Sequence, residues 1–176
     1  MKTSAELEHQ AGLQVASLMA AAARTAPKTR GIDNIRVVAI DDTASKDRLA
    51  SKMRELAQTE NRPTFERDAS CVTSSSAVLI IGVESNPAGL NCGYCGHGNC
   101  AEIEKAGGVC VFNSIDLGIA ASSAAGVAAD SRVDTRVMFS VGRASLALDL
   151  FGSRVKLALG IPLSITGKSP FFDRKA

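Results

Sequence analysis

Four cysteines lie within one short glycine-rich stretch of this chain, NCGYCGHGNCAEIEKAGGVC at residues 91–110. They are Cys92, Cys95, Cys100 and Cys110, in the spacing C-x2-C-x4-C-x9-C. Thiolates are soft ligands that select zinc or iron–sulfur clusters, and a four-iron cluster takes four of them. The spacing therefore predicts a metal site in this part of the chain.

The residues around these thiols suit a compact inorganic cluster. Gly93, Gly96 and Gly98 tolerate positive φ angles, so the backbone can wrap closely around a cluster and direct N–H groups at sulfur. Cys100 is predicted to begin a short helix, AEIEKAG, whose first N–H groups favour negative charge. We call the segment of about residues 84–113 the cysteine loop, and we predict that it holds a 4Fe–4S cluster.

Other uses of the same thiols stay open. A structural zinc site also takes four cysteines, although its usual signature contains two close pairs and this loop contains one C-x2-C pair. Unliganded buried cysteines or a redox disulfide are further alternatives. His97 is interpreted as an exposed loop residue, because four thiols already complete a coordination shell. Cys71, outside the loop, is interpreted as a small buried apolar residue.

The composition is that of an ordinary globular protein. The chain has 176 residues, of which 45% are hydrophobic and 22% charged, with a formal net charge of +2. This predicts a single domain over residues 1–176, with no nucleic-acid partner and no membrane attachment. The most apolar run, residues 115–129, contains Asp116 and is too short to cross a bilayer. Clustered free thiols are typical of reducing compartments, so we expect a cytoplasmic protein.

The first half of the sequence predicts alternating helices and strands. Thr3 and Glu6 form a capping box before a helix whose apolar face continues to about Arg24. IRVVAI at residues 35–40 is a β-branched run that reads as a strand. Asp42 offers a cap for a second helix. AVLIIGV is a continuous apolar run, which predicts a strand buried on both faces.

The second half supplies the elements that follow the cysteine loop. A long helix capped by Ser114 or Asp116 is predicted to run through Ala129. Another helix is expected over residues 133–150, and RVKLALGI and LSI read as further strands. The order of elements predicts an α+β fold, arranged in α/β layers.

Three segments resemble a known family. LNCGYCGHGNC, DLGIAASSAAGVAADSRVDTRVMFSVGRA and LGIPLSITGKSPFFDR are together similar to prokaryotic proteins described only as ferredoxin domain-containing, whose function is unknown. The resemblance extends from about Arg24 to Arg174. The N-C-G-x-C-G-x-x-x-C core is also similar to small four-iron domains of electron-transfer complexes. The resemblance implies that the four cysteines of the loop are cluster ligands.

A second resemblance covers the frame around the loop. LMAAAARTAPKTRGIDNIRVVAIDD, DLGIAASSAAGVAADSRV and LALGIPLSITGKSP are similar to segments of flavin nitroreductases. This implies a nitroreductase-like frame with the cysteine-rich loop inserted, and a homodimer that binds FMN at its interface. Lys28, Arg30, Lys168 and Arg174 are then the expected phosphate-binding residues. The R-x-S-x-R phosphate-binding motif of nitroreductases has no counterpart in MKTSAELEH.

These observations lead to three hypotheses of function. The first is an iron–sulfur redox protein, with or without a flavin, that transfers electrons between unidentified partners. The second is a structural zinc protein whose loop forms an interaction surface. The third is a flavin-dependent oxidoreductase of the nitroreductase type. The chain has two histidines, His9 and His97, and offers no Ser–His–Asp set, so a hydrolytic enzyme is not expected.

Overall fold

Within the described part of the chain, the central sheet contains four strands, and helices pack on both of its faces. A computed structural model describes residues 1–171 of the chain. Its strands are β1 Ile35–Ile40, β2 Ala77–Glu84, β3 Asp134–Thr135 and β4 Val155–Ser164. Its helices are α1 Ser4–Thr25, α2 Thr43–Thr59, α3 Thr64–Ser74, α4 Cys100–Lys105, α5 Val111–Asp130 and α6 Phe139–Ala147. The strands pair antiparallel in the order β1, β2, β4, β3, so the predicted α+β fold is confirmed.

Strand β2 contributes to the core on both faces of the sheet. Successive side chains of a strand point to opposite faces. Leu79 and Ile81 therefore pack with α1 and α5, whereas Val78 and Ile80 pack with α2, α3 and α6. Every residue from 77 to 83 is buried. The strand predicted from its continuous apolar run is confirmed.

Helix α5 begins earlier than the sequence suggests. Ser114 and Asp116 were the expected caps, but Cys110 is the N-cap residue and Val111 is the first helical residue. Asp116 instead lies inside the helix, is 3% exposed, and accepts a hydrogen bond from the main chain of Thr29. Its partner is distant in the sequence, so a local capping rule could not find it.

The buried face of α5 is built from alanines. Ala120, Ala124 and Ala128 are fully buried, and the Ser123 hydroxyl donates to the carbonyl of Ala22 in α1 at 3.2 Å. By length and composition, α5 is the one helix of the described residues that could also cross a membrane. The expectation concerned residues 115–129, whereas the complete helix is longer and extends over Val111–Asp130. Its alanine face nevertheless packs against α1 and the sheet as part of the core.

Three elements of the structure differ from those predicted. Helix α3 was not predicted. Residues 133–138 are not helical, because Met138 forms a bridge with Gly160 of β4 and α6 begins only at Phe139. RVKLALGI and LSI form one continuous strand, β4, which passes through Pro162. In the last two cases the backbone is bonded to a distant strand, which local propensity does not reveal.

The strand register defines two ends of the sheet. Ile35, the first residue of β1, pairs with Val83 near the end of β2. The connection from α1 to β1 and the cysteine loop after β2 therefore leave the sheet at the same end. Leu163, near the end of β4, pairs with Ala77 at the start of β2. The segment that follows β4 therefore leaves from the opposite end.

Candidate metal and cofactor sites

The outer part of the cysteine loop is a tight turn that contacts α5. Gly93 and Gly96 have φ angles of 72° and 83°, which glycine adopts without steric cost. The Gly96 N–H donates to the Gly93 carbonyl at 3.0 Å. Tyr94, which is 76% exposed, stacks on Phe112 in the first turn of α5, with ring centres 6.2 Å apart. The turn that contains Cys95 is therefore held against the core helix.

Asn91 and Cys100 are joined by two hydrogen bonds, which we call the Asn91–Cys100 clasp. The Asn91 N–H donates to Cys100 Sγ at 3.4 Å, and Asn91 Oδ1 accepts from the Cys100 N–H at 2.9 Å. Asn91 has a φ of 46°, a conformation in which asparagine is enriched. The clasp holds the first residue of α4 against the residue that precedes Cys92.

A second set of contacts holds the start of α4. Asn99 is the N-cap, and its Oδ1 accepts from the Glu102 N–H at 3.0 Å. The Glu102 carboxylate accepts from Asn99 Nδ2 and from the Gly98 N–H, both at 2.9 Å. This reciprocal capping resembles a capping box. The predicted short helix that begins at Cys100 is confirmed.

The four cysteines of the loop differ in exposure, and none forms a disulfide. Cys92 is exposed, Cys95 and Cys100 are half-buried, and Cys110 is buried. Among residues 1–171, no three His, Cys, Asp or Glu side chains are arranged as ligands of one metal ion. The structure therefore brings the four thiols into one loop but does not gather their sulfur atoms. The donor chemistry fits a thiolate-bound metal, with four free thiols and one N–H directed at sulfur.

Buried amides anchor the base of the cysteine loop. The Asn86 N–H donates to Asn113 Oδ1 at 3.1 Å, and Asn86 Nδ2 donates to Asn34 Oδ1 at 3.2 Å. The Arg30 guanidinium donates to the Ala88 carbonyl at 2.8 Å. These contacts connect the loop to α5 and to the α1–β1 connection.

Asn34 and Asn113 were not predicted as anchors of the loop. The sequence VFNSIDLG contains a signal for Asn113, because Asn113 and Asp116 lie three residues apart on one face of an otherwise apolar helix. Both are buried, at 2% and 3% exposure. A buried polar side chain requires a hydrogen-bond partner, so this pair marks the place where other segments meet α5.

Lys28 and Arg30, the two predicted phosphate-binding residues that precede β1, both donate hydrogen bonds to main-chain carbonyls. The Lys28 ammonium donates to the carbonyls of Arg24 and Ala26, at 2.5 and 2.8 Å, and its side chain is 6% exposed. A cation in this position stabilises the C-terminal end of α1. Arg30 has a φ of 57° and binds Ala88. The fold therefore engages both side chains.

The other two predicted phosphate-binding residues follow β4. Lys168 is exposed, and Arg174 lies outside the described residues. Lys168 follows Ser164 at the end of β4, whereas Lys28 and Arg30 precede Ile35 at the start of β1. Within one chain, the strand register therefore places the start of β1 and the end of β4 at opposite ends of the sheet. The structure does not bring the two sets of cations together at one end of the sheet.

Two serine hydroxyls close to Lys168 in the sequence have no hydrogen-bond partner among residues 1–171. Within the part of the chain that the structure describes, Ser164 Oγ and Ser169 Oγ are the buried side-chain polar atoms left unpaired. Ser164 is the last residue of β4 and is 1% exposed. A buried polar group without a partner costs about 1–3 kcal/mol. These hydroxyls therefore favour a polar group placed beside them.

A cavity of about 240 Å³ lies beside β1. Its walls are mainly apolar and include Val38, Ile40, Leu49 and Leu148, with Arg48 among the polar residues. Its volume is below the ~300–1,000 Å³ of ordinary ligand pockets. No cysteine of the loop and none of the predicted phosphate-binding residues lines it, so we assign no cofactor to it.

The fifth cysteine, Cys71, lies in α3 and is buried, as predicted. Burial raises the pKa of its thiol above the ordinary value, and the neighbouring Asp68 carboxylate raises it further. Asp68 accepts a hydrogen bond from the Ser140 hydroxyl at 2.6 Å and pairs with Arg67. A buried thiol that stays protonated is a poor metal ligand, so Cys71 belongs to the core and not to the candidate metal site.

Comparison with solved structures identifies the fold. The chain is similar to a nitroreductase with bound FMN from Desulfitobacterium hafniense, with a TM-score of 0.62 and 13% identity, covering 96% of this chain and 80% of that one. The hypothetical oxidoreductase YcnD from Bacillus subtilis gives a TM-score of 0.61 at 14% identity, covering 89% of this chain and 58% of that one. The chain therefore has the nitroreductase fold, as its sequence predicted.

Comparison of sequences identifies the family. An uncharacterized protein from Archaeoglobus fulgidus is 42% identical over 173 residues, covering 93% of this chain and 92% of that protein. Residues 106–174 match the family described as uncharacterized protein containing a ferredoxin domain (DUF2148). The chain belongs to this family, and the resemblance to ferredoxin domain-containing proteins is confirmed. The matched segment includes Cys110 and α5.

Proposed function

We propose that this protein is a redox protein that binds one 4Fe–4S cluster through Cys92, Cys95, Cys100 and Cys110. Four free thiols in one glycine-rich loop are the observation that carries the proposal. Membership of a family described by a ferredoxin domain supports it. The Asn91 N–H directed at Cys100 Sγ also supports it, because hydrogen bonds to cluster sulfurs tune the potential.

The exposure of the loop residues determines which side of the proposed site a redox partner can approach. A bound cluster would supply one-electron transfer. Cys92 and Tyr94 are exposed, so an electron donor or acceptor can approach the loop from solvent. Cys110 is buried at the N-cap of α5, which attaches the site to the core. We propose the cytoplasm as its compartment, because reducing conditions keep the thiols free.

Metal analysis of protein purified under anaerobic conditions tests this proposal. We expect about four iron and four sulfide per chain. Stoichiometric zinc and no iron, after reconstitution with iron and sulfide, would contradict it. That result would support a structural zinc site held by the same thiols, with the loop as an interaction surface. The absence of both metals would reject the two proposals together.

Flavin binding is a second proposed function and depends on a different observation. Ser164 and Ser169 have buried hydroxyls without a partner among the residues that the structure describes, and they lie on either side of Lys168 in the sequence. A flavin phosphate carries a charge of about −1.5 to −2 and requires several donors. We propose that these residues bind it together with Arg174. A solved protein of the same fold has bound FMN. With flavin bound, the protein would be an oxidoreductase of the nitroreductase type.

A homodimer would supply the remaining phosphate-binding residues. Lys28 and Arg30 lie at the opposite end of the sheet from Lys168 and are bonded to carbonyls of their own chain. Their proposed role therefore requires that they come from a second copy and exchange these bonds for the phosphate. The outer face of α5 suits such contact, since Ile115 and Ile119 are 45% and 38% exposed.

Two glycines on α5 support the same interface. At Gly118 and Gly126 nothing lies within 4 Å of an added Cβ, so contacts within the chain do not require glycine there. A glycine inside a helix costs ~0.5–1 kcal/mol relative to alanine. Close approach of a second helix accounts for this cost, and we therefore propose that α5 packs against a second copy of this chain.

A further inference from the structure

The two hydrogen bonds of the Asn91–Cys100 clasp have different roles. The bond to Asn91 Oδ1 satisfies the N–H of Cys100, one of the first N–H groups of α4, which have no partner inside the helix. The bond from the Asn91 N–H reaches the Cys100 sulfur itself. One bond therefore positions the main chain at Cys100, and the other acts on its thiol.

The backbone conformation of Asn91 restricts which residue can form this clasp. A φ of 46° is left-handed and favours glycine, asparagine and aspartate. Glycine offers the N–H but no side-chain acceptor. Aspartate offers both but adds a negative charge beside the sulfur. Asparagine combines the conformation, the N–H and a neutral acceptor.

The clasp is separate from the other contacts at the start of α4. Glu102 holds Gly98 and Asn99 through its carboxylate, and none of these bonds involves Asn91. Removing the Asn91 side chain therefore leaves the N-cap of α4 in place. Its effect should be confined to the position of Cys100 relative to Cys92.

We infer that Asn91 is a positioning residue of the metal site, which holds Cys100 through its side chain and tunes the Cys100 sulfur through its main-chain N–H. The inference rests on the proposed cluster-binding function. It assigns Asn91 a role that the ligand spacing by itself does not reveal.

The first test measures cluster retention in Asn91→Gly. This variant keeps the left-handed conformation and the N–H but removes the acceptor for Cys100. Asn61→Gly is the matched control, because Asn61 has a φ of 51° and lies after α2, outside the cysteine loop. With an iron chelator added to the holoprotein, we expect Asn91→Gly to lose iron about two- to tenfold faster than wild type, the factor that the loss of one hydrogen bond implies. Asn61→Gly should match wild type.

The second test measures the reduction potential in Asn91→Asp. This variant keeps the acceptor and tolerates the same conformation, but it adds a negative charge next to Cys100. Negative charge disfavours the added electron, so the potential should become more negative than that of wild type and of the control Asn61→Asp. Because the added charge acts whatever the native role of Asn91, the same measurement is made on Asn91→Gly, which adds no charge. A potential of Asn91→Gly that differs from that of Asn61→Gly would show that the Asn91 side chain holds the N–H bond to the Cys100 sulfur in place, which a role limited to the stability of the loop would not produce.

Each outcome separates the inference from the function on which it rests. If wild type binds no cluster, the proposed function fails before any variant is examined, and the inference fails with it. If wild type binds a cluster but Asn91→Gly retains iron as well as Asn61→Gly, only the positioning role is overturned. Equal potentials for Asn91→Gly and Asn61→Gly would overturn the tuning role.

Discussion

Asp116 in the core helix α5 accepts two hydrogen bonds from Thr29, which lies 87 positions earlier in the connection between α1 and β1. The main-chain N–H of Thr29 donates at 3.0 Å and its hydroxyl at 2.9 Å. The next residue, Arg30, holds the Ala88 carbonyl at the base of the cysteine loop. The core helix, the α1–β1 connection and the cysteine loop are therefore linked through adjacent residues.

Replacing Asp116 with alanine should destabilise the whole protein. The change leaves both Thr29 donors without their acceptor, which costs about 1–3 kcal/mol of unfolding free energy. Urea denaturation of the metal-free protein measures the difference. Asp130→Ala, at the exposed end of the same helix, is the matched control and should stay within ~0.5 kcal/mol of wild type. Equal stability of the two variants would contradict the role assigned to Asp116.

Single substitutions should separate the loop cysteines from the core cysteine. We expect alanine at Cys92, Cys95, Cys100 or Cys110 to remove most of the bound iron, because a four-iron cluster needs all four thiolates. Cys71→Ala should retain the wild-type iron content, since Cys71 lies in α3. Iron and sulfide assays on anaerobic protein measure both. Full iron content in any loop variant would remove that residue from the ligand set.

The Cys71 thiol should make stability depend on pH in the alkaline range. Burial raises its pKa in the folded state, so the unfolded chain loses this proton first as pH rises. Its contribution is therefore complete below the unfolded thiol pKa of about 8.5 and decreases at higher pH. Denaturation of the metal-free protein between about pH 7.5 and 10 measures the slope. Cys71→Ala should show a shallower decrease, and an unchanged slope would assign the dependence to other groups.

Flavin binding should depend on Lys168 and on the adjacent hydroxyl. A charge-assisted hydrogen bond contributes about 1.5–3 kcal/mol, so Lys168→Ala should weaken FMN binding about ten- to hundredfold. Ser169→Ala should weaken it less. Quenching of flavin fluorescence measures affinity, and Lys156→Ala, an exposed lysine of β4, serves as the control. Unchanged affinity in Lys168→Ala would show that FMN binds elsewhere, and no quenching with wild type would reject flavin binding.

Lys28→Ala tests a structural role for the second group of cations. Its ammonium binds carbonyls at the C-terminal end of α1, so its loss should lower thermal stability whether or not FMN is present. Thermal unfolding of Lys28→Ala and of the control Lys156→Ala without flavin measures this. A variant that loses FMN affinity at unchanged stability would instead assign Lys28 to the phosphate site.

A charge on the outer face of α5 should dissociate the proposed dimer. Light scattering should give twice the chain mass of 18.3 kDa for wild type. We expect Ile119→Asp to give the monomer, because an unpaired charge at an apolar interface is strongly unfavourable. Val137→Asp introduces the same charge at another exposed apolar residue and should remain dimeric. A wild-type monomer at micromolar concentration would reject the dimer.

The elements that the sequence predicted well are those with local causes. The capping box of Thr3 and Glu6 forms as expected at the start of α1, and Asp42 caps α2. Both depend on contacts three residues apart. The continuous apolar run of β2 predicted a strand buried on both faces, because no polar side chain in it needs solvent. The start of α5 and the extent of α6 were wrong, since Asp116 and Met138 bond to distant segments.

The sequence by itself determined the chemistry available to this protein: four thiols at close spacing, glycines between them, and a frame similar to that of nitroreductases. Only the tertiary structure decided how those groups are held. It joined Asn91 to Cys100, used the Lys28 ammonium to cap α1, and directed Lys168 to the opposite end of the sheet from Arg30. The physical reason differs between them. Strand register separates Lys168 from Arg30, and register depends on contacts between residues far apart in the chain, which no local pattern of residue types specifies. The contacts of Lys28 and Asn91 span two to nine residues, but they depend on the path of the main chain, which residue types alone do not fix.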